Sequence, residues 1–267
     1  MRRILAAIGG KVMALELAVV ACLSDNFAYL VRDRASGECA LIDAPEAEPV
    51  LATLAARGWR LGQILITHHH DDHVQALDAI RAATGARVIG AEDDRHRLPK
   101  LDLAVHPGDR FPVGGADCAV IAVPGHTLGH VAFHFPSAAM AFTGDRLMAA
   151  GCGRIFEGTP AMMWDSLQRL SALPDETRIA SGHDYLDANL RFAATIEPDN
   201  LAIARRRETV TQMRRRGELP MPWTLAEEKA TNPFLRAGLP GVKAALGMRD
   251  AADVAVFAEI RARKDRF

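Results

Sequence analysis

The sequence predicts a layered α/β fold followed by an all-helical region. Up to about Tyr185, short apolar runs typical of buried strands alternate with patterns of helical period. The first runs are separated by tight turns, as in hairpins, which places sheets inside and helices outside. Beyond Tyr185 the strand-like runs give way to helical segments separated by prolines. A chain of 267 residues can hold one large domain and a smaller one.

Residues 1–12 are expected to be an N-terminal extension. The stretch faintly imitates a signal peptide, but Lys11 interrupts its apolar part and no clean cleavage site follows. Met13 is an alternative start. No run is long enough to span a bilayer, and the four scattered cysteines are typical of free thiols in a reducing compartment. The expected location is therefore the cytoplasm, with no membrane partner.

Three strands and a helix are predicted first. The strand patterns lie at residues 14–22, 27–31 and 40–43. The polar segments Ser24–Asn26 and Arg34–Gly37 separate them and are typical of turns. The helical pattern from Glu46 ends at Gly58, because glycine is common just past a helix end.

A dense cluster of histidine and aspartate follows the next predicted strand, residues 62–67. Four of the chain's 10 histidines fall within His68–His73. Alternation along a strand places His68 and His70 on one face. Imidazole and carboxylate groups at the carboxyl end of a strand are typical of a site for zinc, iron or manganese.

The chain then turns into a helix predicted over residues 74–83. Asp72 is positioned like the N-cap of this helix, and Gly85 ends it. A short strand at 87–90 and a polar segment come next.

Three later strands end in the same way, in glycine-bearing turns that carry a histidine or an aspartate. The strands of this part are predicted at 118–123, 131–135, 140–143 and 177–180, with a helix at 160–173. His126, Asp145 and His183 follow the first, third and last of these strands. The recurrence favours one shared site at the strand ends, although Asp145 alone could be a turn residue.

The remaining chain is predicted to be helical. The helical patterns lie at 186–196, 200–216, 225–230, 242–246 and 251–263. From Leu190 onward there are 15 Lys/Arg against 10 Asp/Glu, which leaves 17 against 23 for the rest of the chain. The runs Arg205–Arg207 and Arg214–Arg216 are interpreted as solvated helix faces, because the net charge of −1 does not favour a nucleic-acid partner.

Four motifs together resemble the metallo-β-lactamase superfamily, namely Thr67–His73, Pro124–His130, Phe142–Asp145 and Ser181–Tyr185. Within it, the sequence is most similar to glyoxalase II, the hydroxyacylglutathione hydrolases. Further segments agree with that family, namely Leu23–Val31, Gly151–Thr159, Asn232–Arg236 and Arg261–Phe267. The resemblance implies a four-layer αββα sandwich over residues 13–183 and a helical substrate-binding domain over 184–267.

The resemblance also implies two divalent metal ions per chain, with zinc expected first and iron or manganese as alternatives. One ion is held by His68, His70 and His126. The other is held by Asp72, His73 and His183, and Asp145 bridges the two. His130 is expected to support the ligands without being one.

Five further positions correspond to residues with which the family binds glutathione, namely Arg154, Phe156, Tyr185, Arg261 and Lys264. Arg154 stands where the family has lysine and keeps the charge. Phe156 stands where it has tyrosine and loses a hydroxyl. The implied partner is a small glutathione thioester, and a monomer or weak oligomer is expected.

The implied reaction is hydrolysis of S-D-lactoylglutathione to D-lactate and glutathione by a metal-bridged hydroxide that Asp72 and Asp145 hold and orient. A thiol has a pKa of about 8.5, so a thiolate leaves without a strong general acid. A site that lacks an evident acid therefore suits a thioester better than an amide. Cys152 is expected to be an inert thiol.

Three alternative functions remain open at this point. A mononuclear-iron persulfide dioxygenase of the same fold would use His68, His70, His126 and Asp145, but its branch generally lacks the helical tail. Another metal-dependent hydrolase, a lactonase or a nuclease, has only the arginine runs in its favour. A regulatory relative without metals is disfavoured by the complete set of seven ligands.

Overall fold

The computed structural model describes residues 15–267, so the expected extension at 1–12 lies outside the described residues. Two six-stranded sheets face each other, and helices cover the outer face of each. The predicted αββα sandwich with a helical region after it is therefore confirmed.

The first sheet has the strand order β1-β2-β3-β4-β5-β6. Its strands are β1 (Leu15–Cys22), β2 (Asn26–Asp33), β3 (Glu38–Ile42), β4 (Arg60–Leu65), β5 (Arg87–Ala91) and β6 (Leu103–Val105). The first three pair antiparallel, as predicted from the short turns between them. From β3 to β6 the pairing is parallel. The crossovers carry α1 (Ala47–Arg57), α2 (Asp71–Val74) and α3 (Leu77–Thr84).

The second sheet has the order β14-β13-β10-β9-β8-β7. Its strands are β7 (Arg110–Val113), β8 (Ala116–Ala122), β9 (Val131–Phe135), β10 (Met140–Gly144), β13 (Arg178–Ser181) and β14 (Trp223–Thr224). The short strands β11 (Leu147–Met148) and β12 (Gly151–Cys152) pair with each other beside it. Because β9 is antiparallel to both of its neighbours and β13 is parallel to β10, strands β8, β10 and β13 all end at the same edge.

The core lies mainly between the two sheets. Tyr29 and Ile42 from the first sheet meet Phe133 and Phe142 from the second, all nearly or fully buried. A second apolar cluster joins the first sheet to α1 and α3, and a third joins the second sheet to the helices on its outer face. Burial of this apolar surface is the main force that stacks the four layers.

The helices of the second half are α4 (Pro160–Ser171), α5 (Leu186–Ile196), α6 (Leu201–Arg215), α7 (Leu225–Thr231), α8 (Pro240–Ala245) and α9 (Asp253–Asp265). Buried Glu228 on α7 pairs with Arg206 on α6 and accepts the Ala150 N–H at 2.8 Å. A buried charge needs such partners. The prediction that the arginine run around Arg206 is entirely solvated is therefore wrong, although Arg205 and Arg207 are exposed.

Among residues 15–267, no helix is both long enough and apolar enough to cross a membrane.

Three local predictions around the histidine cluster are wrong. Strand β4 ends at Leu65, so His68 and His70 lie in the following loop and not on the strand. The helix predicted over 74–83 begins only at Leu77, as α3, and a separate short helix, α2, precedes it. Asp72 lies inside α2, whose N-cap residue is His70, and is not an N-cap.

The split between α2 and α3 has a clear cause. In a continuous helix the Asp72 carbonyl would accept the Ala76 N–H. Instead that carbonyl accepts the Asn26 side-chain amide at 3.1 Å, and the Ala76 N–H donates to the Ala44 carbonyl at 3.0 Å. The chain thereby bends directly after Asp72 and His73, two of the predicted ligands.

The polar segment expected between β5 and β8 contains two strands, β6 and β7. Both are only three or four residues long and occupy the edges of their sheets. Short edge strands carry little periodic signal, because few of their residues face the core.

Candidate metal centre

The seven predicted ligands converge on one point where the ends of the strands meet. They form three groups, within each of which the candidate ligand atoms lie no more than 4.8 Å apart. These groups are His68/His70/His126, His68/His73/Asp145 and Asp72/His73/His183. His126, Asp145 and His183 follow β8, β10 and β13, so the common direction of those strands brings them together.

In the first cluster, three imidazoles approach one another through their ring nitrogens. His70 Nδ1 lies 3.2 Å from His68 Nε2 and 3.0 Å from His126 Nε2. The His126 Nδ1–H donates to the Arg154 carbonyl at 2.8 Å, which leaves the Nε2 lone pair facing the cluster. Burial lowers the pKa of His126 to about 4. A neutral imidazole with a free lone pair is the form that binds metal.

In the second cluster, a carboxylate lies between two imidazoles. His183 Nε2 lies 3.2 Å from Asp72 Oδ2, and His73 Nε2 lies 3.7 Å from the same oxygen. The remaining ring nitrogens donate outward, His183 Nδ1–H to Asp25 and His73 Nδ1–H to Asp43, both at 2.8 Å. Such a carboxylate behind a histidine fixes the tautomer in which Nε2 is the ligand atom.

Asp145 lies between the two clusters. Its Oδ2 is 3.4 Å from His126 Nε2 and 3.2 Å from His183 Nε2, and its Oδ1 is 3.4 Å from His73 Nε2. The Asp145 N–H donates to His130 Nε2 at 3.2 Å. Asp145 thus lies between the two groups of imidazoles, and His130 accepts a hydrogen bond from its backbone.

The electrostatics of the site suit a divalent cation. Burial alone would raise the pKa of Asp145, but His73 and His183 hold it well below its usual range. Burial would lower the pKa of His183, but the Asp145 and Asp72 carboxylates outweigh it and raise the pKa to about 10. Carboxylates that draw protons so strongly toward these imidazoles would also draw a metal ion.

Two buried atoms at the centre have no hydrogen-bond partner among the described residues, namely His73 Nε2 and Asp145 Oδ1. Buried polar atoms are rarely left unpaired, since each costs about 1–3 kcal/mol. A cation between them would satisfy both at once. The residues present therefore fit a divalent metal centre of nitrogen and oxygen ligands.

Two glycines allow this close packing. A Cβ at Gly182 would lie 2.5 Å from Asp145 Oδ1 and 2.6 Å from His73 Cε1. At Gly153 it would lie 2.0 Å from the Asp145 carbonyl oxygen. Glycine is required at both positions because any side chain would displace the residue that lies between the two clusters.

Sequence reasoning missed the residues that support the ligands. Asp43, Asp25 and Asn26 contact His73, His183 and Asp72, respectively. The sequence predicts Asp43 at the end of a strand and the other two in a turn, with no supporting role for any of them. The available signal was their position at strand ends, which is also where the ligands lie.

A cleft of about 620 Å³ opens from His126 and Asp145 toward α5 and α9. It is lined by all five positions implied to bind glutathione, namely Arg154, Phe156, Tyr185, Arg261 and Lys264. The Phe156 ring meets the edges of His70 and His126, with centroids 5.6 and 5.2 Å apart. The Tyr185 ring stacks on His183 at 4.8 Å.

Two of the positive residues in this cleft differ in their surroundings. Arg154 is exposed, whereas Arg261 is buried and donates to the Cys152 carbonyl and to Asp265. Cys152 is also buried, which raises the pKa of its thiol and keeps it protonated. This agrees with the inert thiol expected from the sequence.

Family models and named relatives match almost the whole chain. A model of the metallo-β-lactamase superfamily matches residues 24–183, and a model of the hydroxyacylglutathione hydrolase C-terminus matches residues 184–267. A hydroxyacylglutathione hydrolase from Fuscovulum blasticum is 66% identical over 255 residues, which cover 96% of this chain and 100% of the relative. The chain belongs to the hydroxyacylglutathione hydrolase family. Its relative from Ruegeria pomeroyi is 55% identical over the same shares of both chains.

Solved structures show the same fold. The crystal structure of ETHE1 from Myxococcus xanthus is 26% identical with a TM-score of 0.64, covering 94% of this chain and 97% of that one. TTHA1623 in a di-iron-bound form is 30% identical with a TM-score of 0.54, covering 65% and 96%. The BLEG-1 metallo-β-lactamase, at 21% identity and a TM-score of 0.65, shares the fold over 82% of this chain and 99% of its own.

Proposed function

We propose that this member of the hydroxyacylglutathione hydrolase family hydrolyses S-D-lactoylglutathione to D-lactate and glutathione. One observation carries the proposal. The two ligand clusters share Asp145 and open into a cleft that is lined by positive side chains. Relatives at 55–66% identity bear the name of this activity.

The proposed ligand assignment follows the two clusters. His68, His70 and His126 hold one ion, and Asp72, His73 and His183 hold the other, with Asp145 between them. Zinc is the expected metal, and the di-iron form of a relative makes iron the next candidate. Divalent ions held there would polarise the thioester carbonyl and lower the pKa of water to about 7.

The chain's own residues would position the reacting groups. Asp72 and Asp145 are the two carboxylates that face the centre, and their oxygens would hold and orient the attacking water. Phe156 contacts the edges of His70 and His126 and forms the wall of the cleft on that side of the centre. Tyr185 stacks on His183 and lines the route from the centre into the cleft.

The products separate without a strong acid. The leaving group is the glutathione thiolate, whose thiol has a pKa of about 8.5, so the C–S bond can break before protonation. Residues 13–183 would carry this reaction. Residues 184–267, with Arg261 and Lys264 on α9, would hold the carboxylates of glutathione beside Arg154.

The direct test measures thioester hydrolysis by the purified protein. We expect the ultraviolet absorbance of S-D-lactoylglutathione to fall while one equivalent of free thiol appears. Oxygen uptake with glutathione persulfide, without thioester turnover, would contradict the proposal and favour a dioxygenase. Turnover of simple lactones, but not of the thioester, would favour another hydrolase.

A further inference from the structure

Four positive residues line the cleft, and one of them has no assigned role. They are Arg154, Arg191, Arg261 and Lys264. Arg191 lies on α5, whereas Arg261 and Lys264 lie on α9. Glutathione carries two carboxylates, and a guanidinium can bind a carboxylate with two parallel hydrogen bonds. An arginine can form this contact only through N–H donors that no other group of the chain occupies.

The guanidinium of Arg261 is largely occupied. Its Nη1 donates to the Cys152 carbonyl at 2.9 Å. Its Nε and Nη2 form a fork that donates to Asp265 Oδ1 at 3.2 and 2.9 Å. The residue is only 6% exposed. Part of the Arg261 guanidinium thus already binds a carboxylate of its own helix.

Arg191 differs from Arg261 both in exposure and in hydrogen bonding. It is exposed, and within residues 15–267 neither a hydrogen bond nor an ion pair occupies its guanidinium. Tyr185, Ala188 and Arg191 follow one another at three-residue intervals from the start of α5 and all line the cleft. One stripe of the helix therefore leads from the tyrosine that stacks on His183 to this free arginine.

Lys264 lies beside the same stripe. Its Nζ is 3.4 Å from the Ala188 carbonyl, one turn before Arg191. Burial, together with the charges of Arg261, Arg191 and Arg154, lowers the pKa of Lys264 to about 8. The cations of α5 and α9 thus repel one another, and a carboxylate between them would relieve that repulsion.

We propose that Arg191 is a substrate-binding residue that forms the two-pronged contact with a carboxylate of the glutathione portion. Lys264 and Arg261 contribute further positive charge beside it, and Arg261 also fixes α9 against Cys152. The inference rests on the proposed function, because it concerns the peptide portion of that substrate.

The first test compares the kinetics of three variants on S-D-lactoylglutathione. Arg191→Ala should raise KM about tenfold with kcat changed less than twofold, as expected for one charge-assisted contact made equally in ground and transition states. Arg191→Lys should recover part of the loss. The matched control is Arg205→Ala, which removes an exposed arginine of α6 that is outside the lining of the cleft and should leave KM unchanged.

The second test removes the carboxylates from the substrate. With the lactoyl thioester of N-acetylcysteamine, which has none, Arg191→Ala and the unmutated enzyme should have the same kcat/KM. Thioesters of γ-glutamylcysteine and of cysteinylglycine then show which carboxylate is bound. The rise in KM caused by Arg191→Ala should disappear with the thioester that lacks the carboxylate bound by Arg191.

The outcomes separate this inference from the proposed function. If the unmutated enzyme does not hydrolyse the glutathione thioester, both the proposed function and the role of Arg191 are wrong. If it does and Arg191→Ala keeps its KM, the role of Arg191 alone is overturned. An equal rise in KM for Arg205→Ala, or an equal penalty on the carboxylate-free thioester, would overturn it as well.

Discussion

At the scale of the single residue, the carboxylate of Asp43, which is outside the predicted ligand set, orients two candidate ligands. Asp43 accepts the Nδ1–H of His73 and also the hydroxyl of Thr67, at 2.8 and 2.9 Å. Because the Thr67 hydroxyl hydrogen is used in this way, the Thr67 oxygen accepts the Nδ1–H of His68 at 3.0 Å. Both imidazoles therefore present Nε2 to the centre, one in each cluster.

This chain of contacts predicts the effect of Asp43→Asn. The amide nitrogen cannot accept a hydrogen bond, so the variant loses one of the acceptors that hold His73 and Thr67. Asparagine also tolerates the left-handed backbone at this position, where φ is 58°. Metal affinity should fall about 10- to 100-fold. Metal content per chain after dialysis against a graded chelator measures the change.

A second buried aspartate provides the control for that variant. Asp33 is 1% exposed and accepts the Gly115 N–H and the Ser36 hydroxyl, both at 2.8 Å, in a turn that holds no candidate ligand. Asp33→Asn should lower the midpoint of thermal unfolding and leave metal content unchanged. Equal metal loss in both variants would mean that burial of the carboxylate, and not its contact with the ligands, matters.

Lys264 predicts how substrate binding depends on pH. Burial lowers its pKa to about 8, with Arg261 on its own helix, Arg191 on α5 and Arg154 adding to the effect and Asp265 opposing it. The lysine is charged below this pKa and neutral above it. We therefore expect KM for the thioester to rise as the pH increases through about 8. Steady-state kinetics between pH 6.5 and about 9.5 measure this rise.

An arginine in the same place separates this effect from other titrations. Lys264→Arg keeps its charge throughout the range, because the guanidinium stays protonated. Its KM should be flat where that of the unmutated enzyme rises. Identical pH profiles for the two proteins would show that a different group titrates.

At the scale of the element, the common direction of three strands brings the site residues together, and one arginine fixes a helix beside them. The Cys152 carbonyl of β12 accepts a hydrogen bond from Arg261 Nη1 of α9 at 2.9 Å. The Cζ atom of the same guanidinium lies 5.1 Å from the centroid of the Phe234 ring. Because Cys152 and Arg261 are both buried, water cannot replace this contact easily. Helix α9, which carries Lys264, is thereby fixed to the strand beside the metal centre.

Arg261→Ala should therefore lower the free energy of unfolding by about 2–4 kcal/mol, since it leaves a buried carbonyl unpaired and removes a packed guanidinium. Urea denaturation measures the loss. The matched control on the same helix is Arg263→Ala, which breaks only the exposed pair with Glu259 and should cost less than about 0.5 kcal/mol. Similar losses in the two variants would contradict the anchoring role.

The elements also show how much of the site was predictable. Turns that carry His126, Asp145 and His183 after separate strands predicted a shared site, and the common direction of β8, β10 and β13 explains why this succeeded. The break between α2 and α3 was not predictable, because it depends on a bond from Asn26 to the distant Asp72 carbonyl. Periodicity reports local pattern, and this bond joins residues 46 positions apart.

At the scale of the whole molecule, the cleft beside the metal ligands' side chains lies where the sandwich meets the basic helical region. The region from Leu190 onward has 15 Lys/Arg against 10 Asp/Glu, and three of these positive residues, Arg191, Arg261 and Lys264, line the cleft. The sequence indicated Arg261 and Lys264 only through family resemblance. It could not show that Arg261 is occupied and Arg191 free, because that depends on how α5 and α9 pack.

In the proposed reaction, one His/Asp centre that holds its metal ions through a shared Asp145 hydrolyses a glutathione thioester. The most direct measurement determines metal content and S-D-lactoylglutathione turnover on the same sample, for the unmutated protein and for His183→Gln. We expect the unmutated protein to hold close to two metals per chain and to turn over the thioester. The variant should lose about one metal per chain and most of its activity. Full turnover in a metal-free sample, or none in a fully loaded one, would contradict metal-dependent hydrolysis of this thioester.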